Sequence, residues 1–389
     1  MNLFDEKNIK LEVLKKRAYN LRWATTPEGV IPLTAADPDF PSAPEIAEAI
    51  SKYAKDRYFS YGPAEGLPDF KESLARSYTT KHNVPLNPAF ILPVDSAAFG
   101  IHLICKSFLQ PGDEAIIFDP VDFLFRYSIE SVKGIAIPFG IAPGTTKEDF
   151  SGMEKLITKR TKLICLCNPL NPTGKAFTKA ELEDLTRIAI KHNLLILSDE
   201  IWSDIVFSPA TFTSIASLND EARLRTIIVT GFSKSYALAG LRIGAVMAHN
   251  SKHFQRLLEV SMHNSTVHGA NVLSQVAATA AINECDYWLK EFVLHTHKMR
   301  DLIVAELNSI PDFRCIAPDA CYVAFADITN TKKSSQEIYE HLYTEAKVAV
   351  VPGLKKWFGN GAEGYIRLCF STSEVILSEA MGRIKKVMK

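Results

Sequence analysis

The stretch Arg225–Gly244, RTIIVTGFSKSYALAGLRIG, decides how the chain folds. Thr226–Thr230 is an apolar, β-branched run with the composition of a buried strand. Gly231 ends it, and the turn Ser233-Lys234-Ser235 follows. Arg242 stands eight residues after Lys234. A lysine is thus expected just past the carboxyl end of a strand, where ligands sit in open α/β sheets. Such a lysine serves either as a point charge for an anion or as an amine nucleophile. On its own a Ser-Lys pair is most often a solvated surface feature, so the rest of the chain must decide.

Working outward, the pattern alternates. Strands are expected at Phe90–Val94, Glu114–Phe118, Gly134–Pro138, Leu163–Cys167, Leu194–Leu197 and Ile243–Ala248. Helices fall between them, at Ala97–Leu109, from about Phe123, and from Thr178 to about His192. Strands alternating with helices of this length give βαβ units and a mostly parallel sheet. Four capping patterns are expected to open helices: Ser151-x-x-Glu154, Thr178-x-x-Glu181, Ser334-x-x-Glu337 and Ser371-x-x-Glu374. Before the sheet come one amphipathic helix over roughly Ile9–Leu21, the extended segment Ile31–Phe40, and helices at Pro44–Asp56 and Asp69–Asn83. The aromatic, glycine-rich Tyr58–Pro68 lies between those last two as an irregular loop. After Ser251 the chain is helical to about Asn308, and a smaller α+β piece carries strands at Tyr322–Asp327, Ala349–Val351 and Tyr365–Phe370. The division expected is a large domain over 45–285 and a small one built from both termini, 1–44 and 286–389.

Bulk properties exclude several classes. The chain has 389 residues, 44 basic and 44 acidic side chains and a formal net charge of +0, so it carries no electrostatic footprint for nucleic acid or an anionic membrane. No apolar run approaches the roughly 18 residues of a membrane span. The polar start MNLFDEKNIK is not a signal peptide. Seven cysteines without framework spacing, and ten scattered histidines, suit a reduced cytoplasmic protein with no metal site.

Three strand ends carry polar residues of complementary kinds: Asn171 after one, Asp199 closing another, Lys234 after a third. Each alone has an ordinary role as turn, helix cap or surface residue. Together, an amine, a carboxylate and an amide at one sheet edge suit an aromatic aldehyde cofactor with a ring nitrogen and a phenolic oxygen.

The motifs NPLNPTG at 168–174, SDEIW at 198–202, SKSYALAGLRIG at 233–244 and YIRLCFS at 365–371 stand in the order and spacing of a known family. The sequence resembles the class I/II, fold-type I pyridoxal-phosphate-dependent aminotransferases from about Ile31 to its C-terminus. That resemblance implies pyridoxal 5'-phosphate as cofactor, an α-amino acid and a 2-oxo acid as partners, and a homodimer with a shared active site. It assigns Lys234 as the Schiff-base lysine and general acid/base. It places Asp199 on the ring nitrogen, keeping the ring an electron sink, and Asn171 on the phenolic oxygen. Arg242, Ser233 and the helix start at Ser96 and Ala97 would hold the phosphate, with Tyr61 reaching the phosphate of the neighbouring subunit. Arg367 would clamp the substrate α-carboxylate bidentately, beside the turn that contains Ala36.

The chain departs from the family at several of these positions. Trp202 stands where a tyrosine often contacts the phenolic oxygen. The ring-stacking aromatic falls by register on Asp122, which cannot stack, so Phe123 or Phe125 is expected to replace it. A second resemblance, to the carbon–sulfur lyases of the cystathionine β-lyase branch, rests on Arg22-Trp23, the Ala35–Phe40 turn and the Asp199–Ile201 run. Aminotransferase is favoured because SYALAGLRIG reads as a transaminase segment. A cofactor-sensing DNA-binding regulator is disfavoured by the net charge and by the short segment before the first motif.

Overall fold

The computed structural model describes residues 3–144 and 148–388. Its centre is a seven-stranded sheet in the spatial order Ile91–Val94, Gly244–Met247, Thr226–Gly231, Leu195–Asp199, Thr161–Cys167, Glu114–Asp119 and Ile135–Gly140. Gly244–Met247 runs antiparallel to both neighbours, and every other pairing from Thr226–Gly231 outward is parallel. The β-branched and aliphatic runs of the inner strands are buried on both faces, as parallel sheets covered by helices require, while the edge strand Ile135–Gly140 is largely open.

The register aligns three chain segments at one edge of this sheet. Gly244 pairs with both Val94 and Gly231, so these three residues form one row across the sheet. Ser96, Ser233 and Arg242 each lie two residues past that row on the same edge. Gly244 permits the crowding there. A Cβ on it would lie 2.7 Å from the Thr230 carbonyl oxygen and 2.8 Å from the Ala97 nitrogen. The helix Ala97–Phe108 can therefore begin directly above the strand. Farther along the same helix, a Cβ on Gly100 would come within 2.4 Å of the Val229 side chain, so glycine there lets the helix lie close on the sheet.

A second, four-stranded antiparallel sheet has the order Val351–Pro352, Tyr365–Cys369, Val323–Asp327, Arg314–Cys315. The 23-residue helix Asp286–Asn308 packs on it. The N-terminal segment joins this part of the molecule: Ile31–Pro32 pairs in parallel with Val348–Ala349, and the Cys369 amide donates to the Leu33 carbonyl at 2.9 Å. These contacts support the division into 45–285 and a body made of both termini, which we propose as the domain organisation.

Local signals held where the caps were unopposed. Thr178/Glu181 and Ser334/Glu337 form reciprocal capping boxes, each worth about 1 kcal/mol. The other two patterns fail. Ser371 is occupied elsewhere, its hydroxyl donating to the Asp37 carbonyl at 3.2 Å, so Ser373 caps the last helix, Glu374–Val387. Asp149 caps a short 3-10 segment over Phe150–Leu156 in place of the α-helix expected from Ser151. The N-terminal helix is also shorter than its periodicity predicts. It spans Leu11–Lys16, after which Tyr19 adopts a left-handed φ of 49° and Asn20 caps a new turn, Leu21–Ala24.

Candidate active site

The parallel strands end along one edge, and their following residues line one cavity of about 280 Å³. Its walls include Ala36, Ser96, Ala97, Asp122, Phe125, Asn171, Asp199, Trp202, Ser233, Lys234, Arg242 and Arg367. The residues singled out on separate sequence motifs are thus brought together, apart from Phe123 and Tyr61. A larger open cleft of about 650 Å³, beside Thr173–Ala176 and Arg314–Asp319, holds none of the strand-end residues.

Lys234 lies beyond the strand Thr226–Gly231. Its Nζ donates to the Ala36 carbonyl at 2.6 Å and sits 5.3 Å from the Trp202 ring centroid. Burial pushes its pKa down, Asp37 opposes this, and Arg367 adds to the lowering. The result favours the neutral amine, the form that attacks a carbonyl. Asp37 is itself fixed by Asn20, whose Nδ2 donates to its Oδ2 at 2.8 Å.

Asp199 closes the neighbouring strand. Burial pushes its carboxyl pKa up to about 7, against the Ile201 amide, which donates to Oδ1 at 3.1 Å; Asp122 raises it further and Lys234 lowers it. A buried carboxylate in this state gains by meeting a cation or an acidic N–H.

Arg367, Asn171 and Asp122 form a chain of hydrogen bonds. Arg367 Nη1 donates to Asn171 Oδ1 at 3.0 Å, and Asn171 Nδ2 donates to Asp122 Oδ2 at 2.8 Å. Arg367 Nη2 donates to the Thr34 carbonyl at 3.1 Å, and its guanidinium lies 5.1 Å from the Phe358 ring centroid. Its Nε is buried without a partner. Burial lowers the pKa of this guanidinium, and Asp122 opposes the shift. An orphaned donor on a desolvated cation is a place for an incoming anion.

On the opposite wall, Ser96 caps the helix Ala97–Phe108, its hydroxyl accepting from the Phe99 amide at 3.1 Å. The first turn of that helix, Ser233 and Arg242 therefore face the cavity together. Arg242 holds a left-handed backbone, φ 51° and ψ 66°, at the start of its strand. A helix N-terminus beside an arginine is an anion cradle. An amine, a carboxylate and this cradle fit a phosphorylated aldehyde with a basic ring nitrogen.

Two expected residues stand apart from this cavity. The Phe123 ring packs edge-on against Tyr127 and Trp357 at centroid distances of 5.5 and 5.6 Å, and it is Phe125 that reaches the cavity wall. Tyr61 is 91% exposed, its ring edge-on to His268. Trp202 is buried in the wall, edge-on to Tyr322 at 4.6 Å. Sequence reasoning gave no role to Asp37 or Asp122. The signal for Asp122 was present all the same: it follows a strand end at a short interval, as Asn171 and Lys234 do.

Residues 28–384 match the family described as aminotransferase class I and II. The chain is 31% identical to an aspartate aminotransferase of Pyrococcus abyssi, over 92% of each chain. It is 29% identical to the aspartate aminotransferase of Bacillus sp. strain YM-2, again over 92% of each. Among solved structures, an aromatic aminotransferase from Pyrococcus horikoshii superposes with a TM-score of 0.87 at 28% identity, covering 93% of this chain and 96% of that one. The chain belongs to the class I and II aminotransferases, pyridoxal-phosphate enzymes of fold type I. No helix among the described residues is long and apolar enough to cross a membrane.

Proposed function

We propose that Lys234, Asp199 and Arg367 carry the pyridoxal-phosphate-dependent transamination of this family within the 280 Å³ cavity, moving an amino group from an α-amino acid to a 2-oxo acid. The observation that carries the proposal is the meeting of a desolvated lysine amine, a carboxylate with a pKa near 7 and an orphaned arginine donor around one space. When bound, the cofactor supplies an electron sink that acidifies the substrate Cα–H bond.

The protein's own groups do the rest. The Lys234 amine would hold the cofactor at its aldehyde and would serve as general base and acid for the substrate Cα proton. Asp199 would accept from the ring N–H and favour its protonated form. Arg242, Ser233 and the first turn at Ser96 and Ala97 would hold the phosphate. Asn171 orients Arg367 by accepting from its Nη1, and Arg367 takes the α-carboxylate. The Ala36 carbonyl holds the lysine amine in the resting site.

We further propose a cytoplasmic homodimer in which Tyr61 reaches the neighbouring site. The exposure of Tyr58 (78%), Phe59 (65%) and Tyr61 (91%) on one loop supports an interface there.

The test is to load the protein with pyridoxal phosphate and mix it with single amino acids, cystathionine included, without a 2-oxo acid acceptor. One equivalent of 2-oxo acid, with the cofactor left in its amino form, is the transaminase result. Continued release of thiol, pyruvate and ammonia would replace it with the carbon–sulfur lyase.

A further inference from the structure

Three carboxylates line the cavity: Asp95, Asp122 and Asp199. Asp95 is exposed, and Asp199 has its task on the ring nitrogen. Asp122 is left over. It is held rigidly from two sides, Oδ2 accepting from Asn171 Nδ2 at 2.8 Å and Oδ1 accepting from the Leu124 amide at 3.2 Å. Among the described residues no lysine, arginine or histidine nitrogen comes within 4.0 Å of it, so its charge has no direct counter-ion. The nearest cation in its bonding chain is Arg367, one amide away through Asn171.

Asp122 and Arg367 line the same cavity. An amino acid whose α-carboxylate meets Arg367 extends the rest of its structure into the cavity that Asp122 lines. No second arginine lines the cavity to receive a distal carboxylate except Arg242, which is committed to the phosphate cradle. Burial raises the Asp122 pKa, while Arg367, Lys234 and the two hydrogen bonds to its carboxylate oppose the shift. A second carboxylate on the substrate would therefore meet an acid group without a direct counter-ion, which repels it whenever both are ionised.

We infer that Asp122 sets the charge of the accepted substrate: the cavity rejects amino acids with a side-chain carboxylate and takes those with an uncharged or cationic side chain. This rests on Arg367 as the α-carboxylate site proposed above. It separates this chain from the activity by which its aspartate aminotransferase relatives are named. It also gives the hydrogen-bond chain a purpose: Asn171 holds apart a cation for the α-carboxylate and an anion that screens the side chain, and neither can swing to neutralise the other. Specificity then comes from a repulsive element beside an attractive one.

The test uses the protein loaded with pyridoxal phosphate and two unreactive probes, butyrate and succinate, which differ by one carboxylate. Their dissociation constants are read from the change in cofactor absorbance, and kcat/KM is measured for asparagine and aspartate alongside. The wild type should bind butyrate at least as tightly as succinate and prefer asparagine to aspartate. Asp122→Asn keeps the shape and a hydrogen-bonding oxygen, and should shift both ratios toward the dicarboxylate by about tenfold. Asp122→Ser provides a second variant, expected to shift them the same way. Ratios that stay put in both variants would overturn the inference while leaving the transamination intact, as would a wild type that prefers succinate and aspartate. A protein that takes up no cofactor would overturn the function itself, and this inference with it.

Discussion

Two buried clusters of charge, both touching the N-terminal segment, are built in opposite ways. In the first, Arg22 and Asp39 form an ion pair with side chains almost wholly buried, and Trp23 Nε1 donates to the same Asp39 oxygen at 2.6 Å. Arg22 also reaches the Cys369 sulfur at 3.3 Å. Burial by itself would lower the pKa of Arg22, but Asp39, Cys369 and Asp37 together outweigh it and hold it above the ordinary arginine value. In the second cluster, Lys234, Asp199, Asp122 and Arg367 are close enough to shift one another yet form no direct ion pair. Each has its pKa pushed by burial toward the neutral form. The first cluster pairs its charges directly and ties the N-terminal segment down, although Arg22 Nε and Asp39 Oδ2 are left without partners. The second is held open, and its charges find their partners in cofactor and substrate. A buried charge that is paired marks structure, and one that is left facing a cavity marks function.

The sharpest way to break this comparison is Lys234→Ala. It should abolish turnover, a loss of at least about 10⁴-fold in kcat, and remove the visible absorbance of lysine-bound cofactor. Asp199→Asn should come next, with kcat down by about 10²-fold or more while cofactor is still retained. Asp39→Asn is the matching cut in the first cluster. It leaves Arg22 buried and uncompensated and should cost about 3 kcal/mol of stability in chemical denaturation. Arg367→Ala should raise KM about tenfold or more for every α-amino acid, because the contact is common to all of them.

The smallest effect separates the clusters by sign. Asp199 has a carboxyl pKa raised from 3.8 to about 7, so between these values the folded cofactor-free protein holds a proton that the unfolded chain has lost. Its contribution to stability therefore falls as pH rises from about 4 to about 7, and stays low above. Glu200, raised to about 7 by burial, acts in the same direction. Asp199→Asn should thus stabilise the cofactor-free protein at pH 8 by about 1 kcal/mol or more, where Asp39→Asn destabilises it. Equal signs in the two variants would end the distinction.

Much of the second cluster was legible in the chain itself. Lys234, Asp199 and Asn171 follow apolar runs of strand length, and a parallel sheet must gather such ends at one edge. Arg367 was found through the family motif YIRLCFS, since an arginine in a strand pattern alone also suits an exposed edge. The first cluster was not legible as a cluster: Arg22 sits on the single helical turn Leu21–Ala24 and Asp39 on an irregular segment, beside the short Ile31–Pro32 strand that pairs with Val348–Ala349. Strands of two residues carry no periodicity. Arg314–Cys315 escaped for that reason. Capping motifs misled where a tertiary contact claimed the hydroxyl, as the Asp37 carbonyl claims Ser371. Asp122 was visible as a misfit at an aromatic position, but its pinning by Asn171 and Leu124 needed the folded geometry.

The central claim is that Lys234 is the amine that bonds the cofactor. Reducing the loaded, active protein with borohydride and mapping the pyridoxyl mass to one peptide tests it directly. The mass is expected on Lys234 alone, in proportion to the activity lost. Its appearance on a different lysine, or loss of activity without any label on Lys234, would contradict the claim.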